Sequence, residues 1–519
     1  MSPTLLVSEG DCREPQPRLS EEAALENGVP TEFRESHSVR APGIERYVQL
    51  AVWMVVAVTL IFIALRIIGS GFLPGGDARR HVAKAFTDKA YTDLVVMRPE
   101  YTMDHSPGWE WLLRQVHRTL HWDSDALMSF SIFLSMACVF FAPFPWLKRP
   151  EAWLAALLAQ MVVLPDLIVR FAQARPFLLT EAVLIAILFA WSGPDQERPS
   201  RRKAGLTCLG IALSVWMHGA WYLWVLPVAA FILAGRWRTA LRLGICLSVG
   251  TLAGALLTGK PVEFLRQAVL IAMAISREHI PQWMLVGEFT PGDGYFATLF
   301  LIAAVWLWRR QKTGAEQNLM KDPTFCLIVI SWILGFKADR FWADWGIPAV
   351  LVWLTLQFQQ IITETWTGTS WRRCLAGGFL AVPLFLHTTN DLGRRYSSSL
   401  NDVFLDGNQP ALQSWMPGTN GVFYTANMQF FYNTFYKNPH GEWRYVLGME
   451  PALMTDTDLR IYRRIQLSNY SIAAFEPWVE RMHPADRLEL ACTSMPDLPN
   501  LEWTNAAANI WIGRIPRAL

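Results

Sequence analysis

The chain has little charge for its length: Asp, Glu, Lys and Arg make up 17% of 519 residues, and the formal net charge is only +2. Its Lys and Arg are scattered between apolar runs and form no patch, which excludes nucleic acid as the partner. There are 7 cysteines, and none stands in a CxxC or Cys/His spacing, so neither a disulfide framework nor a zinc site is supported. Internal repeats are lacking, which argues against a transporter built from duplicated halves. The start of the chain has neither the basic residues nor the small-residue cleavage site of a signal peptide. What the chain does have is apolar bulk. With 52% hydrophobic residues and 25 Trp it falls outside ordinary soluble enzymes and reads as a polytopic membrane protein.

Residues 1–45 are rich in Pro, Ser and Glu without an apolar period, the composition of a disordered tail. Runs of spanning length follow near 47–69, 126–147, 152–170, 176–192, 205–217, 219–235, 241–258, 293–308, 323–336, 344–360 and 374–390, about eleven spans within residues 46–390. Lys148 and Arg149, Arg198 to Lys203, Arg236 and Arg238, Arg309 to Lys312, and Arg372 and Arg373 fall in every second loop. By the positive-inside rule this predicts a cytoplasmic N-terminus and, after an odd number of spans, an extracytoplasmic C-terminal segment. Two outer segments are long enough to carry structure. In 70–125, HVAKAF and GWEWLLRQVHRTLHW have helical spacing beside basic residues, a pattern expected at the membrane interface. In 391–519, GVFYTA, RYVLGM, SIAAF and ANIWIGRI read as strands and 427–436 as a helix, a small α/β domain.

Titratable groups gather at the outer ends of these spans. In GGDARRH, Asp77 follows the first span with Arg79, Arg80 and His81 beside it. A carboxylate there, held ionised by its neighbours, can serve as a general base at the membrane surface; an acid at that place can equally cap the helix that begins at Ala78. MDHSPGWEW places Asp104 and His105 on a loop, with Glu110 in the helix behind. Arg175 in QARPF, His218 in WMHGAW and Arg340 lie where spans reach the outer face, and the arginine fork suits a phosphate. The loop near 259–292 adds Arg277, His279 and Glu288 at a depth where a lipid phosphate is the natural anion. His117 and His121 have the i, i+4 spacing of a metal pair, but no third ligand completes a motif.

The order of GGDARRH, HSPGW, ARPFLL, WMHGAWYLWVLP, GVFYTANMQFFYNTFYKNP and YVLGMEP resembles that of bacterial polytopic membrane glycosyltransferases of the GT-C superfamily, of the glycosyltransferase 39-like kind. The resemblance covers most of the chain from about residue 47 and implies a GT-C-like α-helical fold with a small extracytoplasmic α/β domain. It implies a polyprenyl-phosphate- or diphosphate-linked sugar as donor and a glycan, lipid or protein acceptor. Transfer would take place with inversion at the outer face of a bacterial inner membrane. The first-loop acid of the superfamily falls on Asp77, and Arg80, Arg175, His218 and Arg340 are the implied holders of the lipid phosphate; His81, His105, Arg277, His279 and Glu288 are further candidates. Some members use a divalent ion, Mg or Mn, for which Asp77, Asp104 and His105 offer ligands.

The sequence departs from the superfamily in one respect: many members carry two adjacent acids in the first loop, whereas here Gly76 and Ala78 flank Asp77. Asp104 is the candidate for the second. This departure leaves open a non-catalytic assembly subunit that keeps the fold, and the charges near the spans also suit a lipid or solute transporter or flippase.

Overall fold

The computed structural model describes residues 42–103, 105–192, 199–277, 287–313, 318–365 and 370–516. Most of the expected tail at 1–45 lies outside the described residues, as do Asp104 and His279. Helix α1 (Pro42–Gly69) is followed in the first long loop by α2 (Asp77–Ala85) and α3 (Pro107–Leu120). Next come α4 (Ser124–Phe141), α5 (Pro150–Val163), α6 (Leu167–Phe171), α7 (Phe177–Trp191), α8 (Arg201–Met217), α9 (Val225–Leu233) and α10 (Trp237–Leu256). The helical part closes with α11 (Pro261–Arg277), α12 (Phe296–Thr313), α13 (Pro323–Gly335), the short α14 (Asp339–Phe341), α15 (Ile347–Thr365) and α16 (Ser370–Thr389).

The apolar runs named above fall on these helices, except that 152–170 is divided between α5 and α6 and 219–235 opens with a 3-10 turn, Trp221–Trp224, ahead of α9. Arg46–Gly69, Ser124–Trp146, Trp237–Leu256 and Asp339–Glu364 are long and apolar enough to cross a membrane, and shorter apolar helices, among them α5, α7 and α13, stand with them. Large apolar side chains such as Phe62, Leu241, Phe300 and Phe379 point outward, while Trp153, Trp342, Trp345 and Trp353 fill the interior. That inversion of the usual surface is what a lipid solvent demands, and the protein is a polytopic helical membrane protein. Helix α10 lies close against α8 because Gly250 and Gly254 carry no side chain there; a Cβ on Gly254 would stand 2.5 Å from the Ala212 carbonyl oxygen. Away from the loops discussed below, Arg373 Nε donates to the fully buried Glu151 Oε1 at 2.9 Å.

Beyond α16 the chain forms α17 (Pro410–Gln413), β1 (Val422–Tyr424), α18 (Met428–Lys437), β2 (Arg444–Tyr445), α19 (Asp456–Leu467), α20 (Glu476–Val479), β3 (Arg487–Ala491), β4 (Glu502–Ala507) and β5 (Ile510–Arg514). The sheet order is β2-β1-β3-β5-β4. The β1 strand runs parallel to β2 and β3, and β5 is antiparallel to β3 and β4. The stretch SIAAF departs from the expectation of a strand: Ile472–Phe475 is a 3-10 turn that runs into α20, where Pro477 suits a helix start and no strand partner is needed. The place in the sheet goes to β3, where RLELA alternates charged and apolar residues and Arg487 and Glu489 are buried all the same.

Helix α2 also differs from the interfacial helix expected of HVAKAF. All of its residues from Ala78 to Ala85 are buried, because its cations find partners inside the protein. Arg79 donates to Asn433 Oδ1, to the Leu73 carbonyl at 3.0 Å and to Asp402, and its guanidinium lies over the Phe404 ring. Helix α3 keeps more of the interfacial character, with Trp111 near its start and Leu120 at its end exposed.

The first loop is joined to the sheet through its backbone. Val95 pairs with Tyr445, with Val96 N donating to Tyr445 O and Tyr445 N donating to Leu94 O, both at 2.8 Å. This covers the β2 edge, which would otherwise expose unpaired amides and carbonyls.

Candidate functional site

A cavity of about 1090 Å³ lies between the ends of the membrane helices, the first loop and the C-terminal segment. Its wall includes Asp77, Arg80, His81, His105, Arg175, His218, Glu288 and Arg340, together with Gln429, Tyr432 and Glu450. The structure therefore brings together eight of the candidates named from the sequence. Asp104 and His279 lie outside the described residues, and so does the side chain of Arg277 at the end of α11.

Asp77 is the first residue of α2, and its carboxylate makes no cap. The preceding position is Gly76, at φ 65° and ψ −133° with no side chain to cap, so the capping reading does not hold. Asp77 Oδ1 instead accepts from Arg80 Nε at 3.2 Å and from the Tyr432 hydroxyl at 3.4 Å. Burial acts to raise the pKa of this carboxyl, but Arg80, Arg175 and His81, with the Tyr432 hydroxyl, hold it well below the usual carboxylate range. It is an anion at every physiological pH.

Arg80 is itself held from behind. Its Nη2 stands 3.1 Å from His81 Nε2. Since a guanidinium only donates, that ring nitrogen accepts and the His81 proton sits on Nδ1. Nδ1 faces Glu110 Oε1 at 3.4 Å, Glu110 also takes the Tyr91 hydroxyl at 3.2 Å, and Lys84 Nζ is 3.8 Å from its other oxygen. The cationic groups of Arg80 and Lys84 both lie over the Tyr91 ring. A buried line thus runs Glu110, His81, Arg80, Asp77.

Arg175 reaches the cavity from a strained turn. Ala174 has φ 54°, a conformation uncommon for a residue with a side chain, and Pro176 restricts Arg175 to extended backbone. Its Nη1 donates to Glu288 Oε1. The other amino group is so near Gly76 that a Cβ there would lie 3.2 Å from Nη2. Burial acts to raise the Glu288 carboxyl, and Arg175, Arg340 and Arg170 bring it below its ordinary value.

On the membrane side, the chain after α14 winds into a π-helical turn, Trp342–Gly346, a distortion often found where a side chain must be re-aimed. It sets Asp344 between two arginines: Arg340 Nε donates to Oδ2 at 2.9 Å, and Arg170 donates to Oδ1. Arg340 Nη2 also stands 2.8 Å from His218 Nε2, which must accept, so His218 is neutral with its proton on Nδ1. His105 is fixed through its backbone, its carbonyl accepting from Gly219 N at 2.8 Å.

Asp77 accepts from an arginine and a tyrosine through Oδ1; among the described residues, which do not include Asp104, no three His, Cys, Asp or Glu side chains gather closely enough to ligate a divalent ion. His117, one half of the i, i+4 pair, turns its Nδ1 to the Trp122 carbonyl at 2.9 Å.

Among the cavity residues that escaped the reading of the sequence are Gln429, Tyr432 and Glu450. These three lie inside motifs that were noticed, GVFYTANMQFFYNTFYKNP and YVLGMEP, but nothing in their spacing ties them to Asp77.

No protein-family model matches the chain, and no curated protein matches it by sequence. Among solved structures it is similar to ArnT from Cupriavidus metallidurans bound to undecaprenyl phosphate, with a TM-score of 0.49 and 13% identity over 90% of this chain and 98% of that one. It is also similar to an oligosaccharyltransferase from Archaeoglobus fulgidus in complex with Zn and sulfate, with a TM-score of 0.42 and 10% identity over 83% of this chain and 67% of that one. Neither score reaches 0.5, so the chemistry of the site is read from its own residues.

Proposed function

We propose that the protein transfers a sugar from a polyprenyl-phosphate or diphosphate donor to a glycan, lipid or protein acceptor at the outer face of a bacterial inner membrane, with inversion, as an enzyme of GT-C-like fold. The observation that carries this reading is the meeting of one ionised carboxylate, Asp77, with Arg80, Arg175 and Arg340 around a single cavity of about 1090 Å³. A cavity of that order suits a small organic ligand with its surroundings. Its cations suit a phosphate, and its apolar wall, Phe72, Val169, Phe177, Leu223, Phe336 and Phe341, suits the first prenyl units.

In this reading Asp77 orients the acceptor hydroxyl. The acceptor oxygen attacks the anomeric carbon as the bond to the phosphate oxygen breaks, the electron pair leaving on the phosphate. Arg80, Arg175 and Arg340 take up that charge, as fixed cations do in a site poor in water. As Arg80 and Arg175 turn to the phosphate, they release their hold on Asp77, which then accepts the hydroxyl proton. The basic loops support a cytoplasmic N-terminus, with residues 391–519 forming an extracytoplasmic domain beside the transmembrane part at 46–390.

Native mass spectrometry of the protein in lipid nanodiscs tests the reading, with polyprenyl-phosphate sugars as ligands. Arg175→Ala should weaken binding and Asp77→Asn should retain it while losing transfer. Absence of binding to any such lipid overturns the proposal in favour of a transporter or an assembly subunit.

A further inference from the structure

One carboxyl of the cavity has no part in the chemistry above. Glu450 lines the wall, five residues after the Tyr445 to which the first loop is bonded. Pro451 follows it and confines it to extended backbone, at φ −141° and ψ 131°. Its Oε2 is buried and makes no hydrogen bond among the described residues. The two arginines best placed to neutralise it are engaged elsewhere, Arg175 with Glu288 and Arg340 with Asp344.

The groups around Glu450 come from several elements: Asp77 on α2, Glu288 ahead of α12, Arg340 on α14 and Arg175 ahead of α7, with Tyr432 on α18 and Tyr462 on α19. Burial first, then the charges of Asp77 and Glu288, push its carboxyl well above the ordinary value, which favours the protonated form of Glu450. A neutral carboxyl both donates and accepts. It can therefore bind a hydroxyl pair, and it brings no negative charge near a phosphate.

The cavity is divided accordingly. Arg80, Arg175 and Arg340 come from the first loop and the ends of the membrane helices, whereas Gln429, Tyr432 and Glu450 come from the C-terminal segment. We propose that Glu450 is the sugar-binding residue of the cavity, donating to one hydroxyl of the transferred sugar and accepting from another, so that the C-terminal segment selects the sugar while the arginines hold the lipid phosphate. This assignment rests on the lipid-linked-sugar reading.

The test is a nanodisc titration read by native mass spectrometry, with undecaprenyl phosphate and its glucosyl, galactosyl, mannosyl and arabinosyl derivatives as probes. Parent, Glu450→Ala, Glu450→Gln and Arg175→Ala are compared, with thermal unfolding of each as the check on folding. Arg175→Ala should weaken every probe, the unsugared lipid included. Glu450→Ala should leave undecaprenyl phosphate within about twofold and weaken the tightest sugar derivative by about 5- to 30-fold, the worth of one or two hydrogen bonds. Glu450→Gln keeps a donor and an acceptor and should restore most of that loss. The inference is overturned if Glu450→Ala binds the sugar derivatives as the parent does, if it loses the unsugared lipid equally, or if no derivative binds the parent more tightly than undecaprenyl phosphate. A Glu450→Gln variant as weak as Glu450→Ala overturns the neutral-carboxyl account, since charge would then be what counts. If the parent binds none of the probes, the lipid-linked-sugar reading falls and takes this one with it.

Discussion

Replacing Gly76 by alanine should damage the site from a position that contributes no functional group. Gly76 sits at φ 65° and ψ −133°, a region that only glycine enters freely, and a side chain held there costs about 1–3 kcal/mol. The new Cβ would also stand 3.2 Å from Arg175 Nη2, a few tenths of an ångström closer than a relaxed contact. Arg175 cannot simply swing away, because its other amino group is bound to Glu288. The strain therefore appears either as lost stability or as a shifted loop that carries Asp77 away from Arg80 and Tyr432. In the second case, 1–3 kcal/mol corresponds to roughly a 5- to 150-fold loss of affinity for undecaprenyl phosphate. Thermal unfolding followed by tryptophan fluorescence, together with the lipid titration, reads both routes. Gly75→Ala is the control: its Cβ would meet Gln429 Nε2 at an ordinary 3.4 Å, and the variant should behave as the parent does. A Gly76→Ala protein with unchanged unfolding temperature and unchanged affinity would refute the account of this loop.

Asp77 should also govern behaviour in acid. Its folded-state pKa lies below the ordinary 3.8, so its ionised form favours folding fully above about pH 4, and the contribution is lost as pH falls further. The gap in unfolding temperature between parent and Asp77→Asn should narrow as pH falls below about 4; a constant gap counts against the cationic setting described. Glu110→Gln should cost about 1–3 kcal/mol by removing the charge that faces His81 and Lys84, and should weaken lipid-phosphate binding through Arg80; normal affinity would detach Arg80 from that buried line. Arg373→Met should destabilise by about 3–5 kcal/mol because it strands the buried Glu151, whereas the double replacement Arg373→Met with Glu151→Met should recover most of the loss. A double variant no more stable than the single one would show that the pair itself is required.

Much of the membrane part was legible because lipid imposes a simple rule, long apolar runs, and these runs fall on helices, although 152–170 is divided between α5 and α6. The polar groups at the helix ends were legible for a related reason: Arg175, His218 and Arg340 stand where an ionisable side chain is otherwise costly. The burial of α2 was not, since its partners Asp402 and Asn433 lie more than 300 positions away in the chain. Tyr432 and Glu450 were missed on the same ground, for no local pattern distinguishes a tyrosine in the core from one that leans on a distant carboxylate. In SIAAF the short apolar run gave no period long enough to separate a strand from a turn.

The contact between Tyr432 and Asp77 closes a gap of 355 positions, and this sets an order of events during biogenesis. At about 5–20 residues per second, the ribosome needs roughly 20 to 70 s to pass from one partner to the other. For that interval the arginine-bearing helices stand in the bilayer with the first loop unanchored and one wall of the chamber not yet made. A nascent chain halted before Met428 would insert its helices and still lack Gln429, Tyr432 and Glu450. The stretch from Met428 to Leu453 thus closes the chamber only after every membrane helix that borders it has been made.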